Sequence, residues 1–317
     1  MVGFLDSGHL VRVFRGLPPC AGAPVALTIG TFDGIHRGHQ AMLSRLAEAA
    51  DDLALSPAVL TFDPYPREFF AGDSAPPRLS SLRTRLERFA AHGVGQVFIA
   101  RFNAALAAMD PDEFVDRVLV QRLGARWVLV GEDFRYGKAR AGDLSALRAA
   151  ARSFSVETMR TVAVAGERAS STAVRAALAA GDIEAATALL GHPFAIGGRV
   201  AHGRKLGRSL GFPTANIPLR HKPPFTGIFA VRIHGLGAGA RTGVASLGIR
   251  PTVQTGARPL LEVFVFDFDQ DVYGRRIVVE FMHKLRDEER YPDLDALTRQ
   301  IRADAAQARE YFDAARA

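Results

Sequence analysis

The apolar pattern of the chain changes once, at Gly191-His192-Pro193, and the change splits it into two folding problems. Before it, short apolar runs at 25–29, 58–62, 96–100, 127–130 and 156–159 alternate with helical patterns. That β-α-β-α order predicts an α/β fold built on a doubly wound parallel sheet, in which ligands collect beyond the carboxyl ends of the strands. Asp110-Pro111-Asp112-Glu113 carries an N-cap, a proline at the first helical position and a capping-box glutamate, predicting a helix through Leu123. Two short alanine-rich helices are expected at 172–180 and 182–190. Beyond the change come strand-like runs at 194–200, 227–234, 243–248, 260–268 and 276–282, broken by Gly and Pro turns. They predict an antiparallel barrel or sandwich, with a hairpin loop at 235–239 and a closing helix at 293–312. A length of 317 residues suits two domains, which we place at 1–187 and 188–317.

Gly30-Thr31-Phe32-Asp33-Gly34-Ile35-His36-Arg37-Gly38-His39 follows the first apolar strand and leads into a helix. A strand, a glycine-rich turn and a helix N-terminus make an anion site, because unpaired N–H groups and the helix dipole both favour phosphate. His36 and His39 flank Gly38, which removes a side chain from between them, so each imidazole can donate to one ligand. Nucleotidyl transfer needs such positioning and charge stabilisation more than a covalent nucleophile. A histidine pair in a tight turn and a metal pair are the competing readings. Thr61-Phe62-Asp63-Pro64-Tyr65-Pro66 and Val130-Gly131-Glu132-Asp133-Phe134-Arg135-Tyr136-Gly137 end two further strands on the ligand side. Ser170-Ser171-Thr172 can cap the next helix, with Arg175 one turn in and placed for phosphate.

Charge is uneven. The net charge is +7, yet only four of the 40 basic residues are lysine. Between Glu184 and Glu262 there is no acidic residue, while ten arginines and lysines fall there. That concentrates the positive field where an anion could use it; a solvated basic surface is the alternative. Inside the stretch, Gly203-Arg204-Lys205-Leu206-Gly207-Arg208 gives a loop able to fold over phosphates, and Pro213-Thr214-Ala215-Asn216 offers neutral oxygens suited to Mg²⁺ that shares phosphate oxygens. Glu262, on an expected strand, can act as general base toward a hydroxyl. Alternation sets Glu262, Phe264 and Phe266 opposite Leu261 and Val263, which suits a flavin pocket or a partly exposed sheet. Cys20 is the only cysteine, so no intramolecular disulfide forms. The N-terminal residues lack a signal-peptide pattern and no apolar run reaches ~18 residues, so a cytoplasmic, non-membrane protein is expected.

His36 to His39 resembles the His-x-Gly-His signature of the nucleotidyltransferase and class I aminoacyl-tRNA synthetase superfamily. With the 61–66, 130–137 and 170–175 segments, the first half looks like the FMN adenylyltransferase module of bacterial bifunctional riboflavin kinase/FAD synthetases. Residues 189–194, 198–217, 227–231, 243–252, 261–268 and 271–274 resemble the riboflavin kinase module of the same family, in order. The resemblance implies a nucleotidyltransferase domain followed by a six-stranded antiparallel Greek-key β-barrel with a C-terminal helix. It implies that His36 and His39 are catalytic and that Gly30, Phe32, Asp33, Gly38, Ser170, Ser171, Thr172 and Arg175 bind ATP. Phe62, Asp133 and Phe134 would line the flavin or nucleotide pocket. In the second half it implies that Gly203, Gly207, Arg208, Thr214 and Asn216 bind ATP, that Thr214 and Asn216 hold Mg²⁺, and that Glu262 is the base. Riboflavin, FMN, FAD and ATP become substrates or products, with no nucleic-acid partner and the oligomeric state open. His192, Phe194, Ser246 and Ala169 stand where arginine, tyrosine, asparagine and a larger aliphatic residue are usual. A single-activity nucleotidyltransferase, a tRNA-charging relative and a non-catalytic flavin- or RNA-binding protein remain as alternatives; no Lys-Met-Ser-Lys-Ser-like loop accompanies the histidines.

Overall fold

A computed structural model describes residues 2–6, 9–203, 211–250 and 258–315. The chain forms two compact units, one of residues 1–76 and 82–170, the other of residues 77–81 and 171–317.

The first unit is built on a seven-stranded sheet: β1 (Val2–Asp6), β2 (His9–Arg15), β3 (Val25–Ile29), β4 (Ser56–Phe62), β5 (Gln96–Ala100), β6 (Ala125–Gly131) and β7 (Ser155–Met159). Their order is β1-β2-β5-β4-β3-β6-β7, with every neighbouring pair parallel except β1 with β2. Strand order reverses between β3 and β6, the switch point at which such sheets open a ligand crevice. Every residue of β3 is buried, as a central parallel strand covered on both faces requires. Period-two alternation shares its side chains between two cores: Ala26 packs with Leu43, Leu46 and Phe89, while Val25, Leu27 and Ile29 pack with Phe114, Val118 and Leu119.

Two local expectations need correction. The β1–β2 hairpin was absent from the sequence reading, although Val11 and Val13 are buried on either side of exposed Arg12, a half-buried strand's alternation. The capping box at Asp110 does not form: Asp110 makes no side-chain cap bond, and Glu113 pairs with Arg117 instead. Pro111 does occupy the first turn, and helix Pro111–Glu113 runs on into a π-helical stretch, Phe114–Arg122. A short pair, β8 (Ala163–Val164) with β9 (Glu167–Arg168), completes the unit.

The second unit holds helices Ser171–Ala180 and Ile183–Leu190, then β10 (Ala195–Arg199), β11 (Thr214–Pro218), β12 (Gly227–His234), β13 (Arg241–Arg250), β14 (Arg258–Val265) and β15 (Arg276–Arg286), and finally helix Leu294–Ala314. The six strands are antiparallel in the order β10-β15-β12-β13-β14-β11. β12, β13 and β14 form a meander and β15 returns beside β12, which is Greek-key connectivity. The edges β10 and β11 almost close the barrel: the Ala201 N–H donates to the Asn216 carbonyl at 2.8 Å. A Cβ on Gly198 would lie 2.3 Å from the Ile217 side chain, so glycine is what lets these strands meet. Phe194, Phe225, Phe229 and Phe281 pack ring to ring inside, with centroids 4.9–5.9 Å apart.

Arg286 of β15 grips Asp304 of the C-terminal helix with two bonds of 2.8 and 2.7 Å, and Gln300 adds a third to the same carboxylate. Asp304 is 3% exposed. Asp304→Ala would leave the guanidinium without its partner, and we expect a loss of roughly 3 kcal/mol, the lower end for breaking a buried pair because Arg286 still reaches solvent. Urea unfolding of the two proteins measures it.

Candidate functional site

At the end of β3 the backbone turns through left-handed conformations at Phe32 (φ 51°), Gly34 (φ 81°) and Ile35 (φ 43°) before helix Arg37–Asp52 begins. Non-glycine residues held there cost about 1–3 kcal/mol each and persist only where the surroundings fix them. The surroundings do so: Phe32 and Ile35 are buried, and the Phe32 ring packs edge-on against Phe89 at 5.4 Å and tilted against His39 at 4.8 Å. A Cβ on Gly30 would lie 3.1 Å from that ring. Asp33, also buried, accepts a hydrogen bond from the Tyr65 hydroxyl at 3.2 Å.

His36 caps the helix, its Nδ1 accepting from the His39 N–H at 3.4 Å. The two imidazoles stack with centroids 3.7 Å apart. A Cβ on Gly38 would come within 3.2 Å of both the His36 ring and the Ala169 carbonyl. Gly38 is therefore glycine because histidine ring and backbone close over it. Nδ1 of His39 is buried and finds no partner among the described residues. Burial, then the neighbouring His36 and Arg85, hold the His39 imidazole well below its ordinary pKa. At neutral pH it is uncharged, with one N–H to donate and one buried nitrogen available to a ligand.

The neighbouring strand ends add surface. Phe62 closes β4 and sits in an edge-to-face ring cluster with Phe102, Phe69 and Phe70 at centroid distances of 5.2–5.8 Å. Phe70 is 71% exposed, so the cluster carries accessible ring surface. The sequence reading found Phe62 and missed the other three, which belong to no recognisable motif. Asp133 and Phe134 follow β6 across the switch point; Asp133 accepts from Arg168 at 2.7 Å and Phe134 stacks on Tyr136 at 5.5 Å. Arg85 was missed as well, since it reads as one more surface arginine of helix Leu82–Ala91 and is in fact fully buried.

Ser170 ends the first unit, while Ser171, Thr172 and Arg175 belong to the second, in the first turns of helix Ser171–Ala180. Arg175 donates to the carbonyls of Pro77 at 2.7 Å and Ser171 at 3.0 Å.

In the barrel, register brings a second set together. Glu262 on β14 pairs with Asn216 on β11 and with Ser246 on β13, so the three side chains form one row on one face of the sheet. Leu261 and Val263 are buried and Glu262 and Phe264 are partly exposed, the alternation expected from sequence; Phe266 is buried under the C-terminal helix with Ala308 and Phe312. Thr214 and Asn216 stand two apart on strand β11. Asn216 Nδ2 donates to the Thr214 carbonyl at 3.1 Å. A Cβ on Gly203 would lie 2.6–2.8 Å from the Asn216 amide, so this glycine lets the incoming loop lie against it. Gly203, Thr214 and Asn216 line a cleft of about 290 Å³ with Val200, Val272 and Tyr273. Gly207 and Arg208 lie outside the described residues. Ser246 donates to Glu288 at 3.2 Å, Phe194 is buried in the phenylalanine cluster, and His192 Nδ1 lies 2.9 Å from the Pro193 carbonyl.

Residues 21–173 match the family described as FAD synthetase, and residues 190–312 match the family described as riboflavin kinase. Over 308 residues the chain is 45% identical to the bifunctional riboflavin kinase/FMN adenylyltransferase of Escherichia coli (strain K12), covering 95% of this chain and 98% of that relative. The chain belongs to the bifunctional riboflavin kinase/FMN adenylyltransferase family. Family members from Pseudomonas fluorescens and Haemophilus influenzae (strain ATCC 51907 / DSM 11121 / KW20 / Rd) are 46% and 44% identical, over 95% and 91% of this chain and 97% and 94% of their own lengths. Among solved structures, a Streptococcus pneumoniae protein described as a macrolide-efflux protein superposes with a TM-score of 0.76 at 25% identity, covering 93% of this chain and 97% of its own. That likeness is one of fold. No helix among the described residues is long and apolar enough to cross a membrane.

Proposed function

We propose that the chain makes FAD in two steps at two separate sites. In the barrel, the terminal hydroxyl of riboflavin attacks the γ-phosphorus of ATP, giving FMN and ADP. In the α/β unit, a phosphate oxygen of FMN attacks the α-phosphorus of a second ATP, giving FAD and pyrophosphate. The observation that carries this reading is the presence of a polar constellation in each unit: the stacked His36 and His39 at the carboxyl end of β3, and the Asn216–Glu262 row in the barrel. We assign the division between the functional modules to residues 187 and 188.

In the first unit His36, His39 and the N–H groups of the Gly30 to Gly38 loop bind the ATP phosphates, and Phe32 and Asp33 hold the loop's shape. Phe62, with Phe69, Phe70 and Phe102, offers ring faces to the flavin, and Asp133 and Phe134 line the same pocket. Ser170, which ends this unit, assists phosphate binding. In the barrel, Glu262 accepts the proton of the attacking hydroxyl, and Gly203, Gly207, Arg208, Thr214 and Asn216 hold ATP. Thr214 and Asn216 carry neutral side-chain oxygens on one face of one strand, with Gly203 of the incoming loop lying against the Asn216 amide. Such a pair fits a Mg²⁺ ion that takes its remaining ligands from nucleotide phosphate and water. Bound there, the ion would neutralise charge on the transferring phosphoryl group.

Incubating the protein with riboflavin and Mg-ATP and resolving the flavins over time tests the reading. FMN should appear first and FAD after it; a reaction in which neither forms overturns it.

A further inference from the structure

Arg85 is fully buried, with 0% exposure, on the inner side of helix Leu82–Ala91. Its Nη1 donates at 2.8 Å both to the Thr31 carbonyl and to the Thr61 hydroxyl. Thr31 stands immediately before left-handed Phe32, and Thr61 lies at the carboxyl end of β4. One guanidinium thus ties the start of the histidine loop to the neighbouring central strand. Its Cζ lies 4.9 Å from the Tyr65 ring, and Tyr65 in turn holds Asp33. One turn along the same helix, Phe89 packs on Phe32, which packs on His39.

The charge is harder to explain as scaffolding. No carboxylate among the described residues forms an ion pair with Arg85, and its Nε and Nη2 find no acceptor there. A buried cation without a counter-charge is costly, and a neutral side chain could fill the same space. The missing counter-charge is what a polyphosphate brings.

On the reading that this loop carries adenylyl transfer, we propose that Arg85 is a positioning residue for that step. It clamps Thr31 so that the left-handed loop presents His36 and His39 together, and it fixes a positive charge at the base of the anion site. The same charge contributes to holding His39 neutral before the nucleotide arrives.

Arg85→Met and Arg85→Lys separate charge from space filling. In the full-length protein, Arg85→Met should lower kcat for FMN adenylylation at least about thirtyfold and raise KM for ATP, with Arg85→Lys within about fivefold of wild type. Riboflavin phosphorylation should be unchanged in both. In the nucleotide-free protein, the His39 resonance, assigned by its loss in His39→Asn, should titrate at higher pH in Arg85→Met, and inorganic pyrophosphate should bind about tenfold more weakly. Equal losses in the two variants with an unmoved His39 titration would make Arg85 a structural residue and overturn the proposal, as would full activity in Arg85→Met. If wild type makes no FAD, the functional reading fails by itself, and the His39 titration and pyrophosphate binding still decide what Arg85 does.

Discussion

His36→Ala combined with His39→Ala should let FMN accumulate: FAD formation falls by roughly a thousandfold, while riboflavin is phosphorylated at the wild-type rate. Removing one well-placed donor to a developing charge costs roughly 10²–10³ in rate, and the pair acts as a unit, so the double variant should not lose the product of the two single losses. The stacking at 3.7 Å explains the coupling, since each ring sets the position of the other and His36 also caps the helix that carries His39. A pH series adds a second check. The folded protein holds His39 with a pKa below the ordinary 6.5, so between that depressed value and 6.5 the unfolded chain binds more protons. Stability from this group is then present above pH 6.5 and is lost as pH falls toward the folded value. His39→Asn should flatten that acid-side slope in urea titrations, and an unchanged slope would show that His39 is not held neutral. Chromatography of the flavins reads the main effect; loss of both steps in the double variant would rule out two independent sites.

The histidine loop was legible because its chemistry and its backbone needs coincide in consecutive residues. Gly38 had to be small for His36 to close over it, and the strand before it is apolar throughout because both faces of β3 are covered. The Asn216–Glu262 row was legible only in part. Each residue could be singled out, yet their adjacency depends on the pairing of β11 with β14, separated by more than 40 residues, and β11 is short enough to read as a turn. Arg85 shows the opposite limit. Helical periodicity places it on the same face as Leu86 and Phe89, but a charged residue among apolar ones reads as an interruption until the fold brings the Thr31 carbonyl to it. The rings of Phe69, Phe70 and Phe102 escaped notice for a related reason: they gather from two segments around Phe62 without any local spacing to announce them.

Glu262→Gln should produce the complementary phenotype, a fall of roughly 10²–10⁴-fold in FMN formation with FMN still converted to FAD. The substitution keeps the side chain's shape and its place between Asn216 and Ser246, and it removes only the capacity to accept a proton. If Glu262 were a surface residue of the sheet, the same change would leave the kinase rate within a factor of two or so of wild type. Asn216→Ala should act differently, because an amide that helps hold nucleotide and metal contributes to binding: KM for Mg-ATP rises along with a loss in kcat. Side by side on paired strands, the two residues would meet the same transferring group on the proposed reading, so the double variant should fall well short of the product of the single effects. Multiplicative losses would mean that Asn216 and Glu262 serve separate events, and the barrel's catalytic row would then have to be sought elsewhere around the cleft that Thr214 and Tyr273 line.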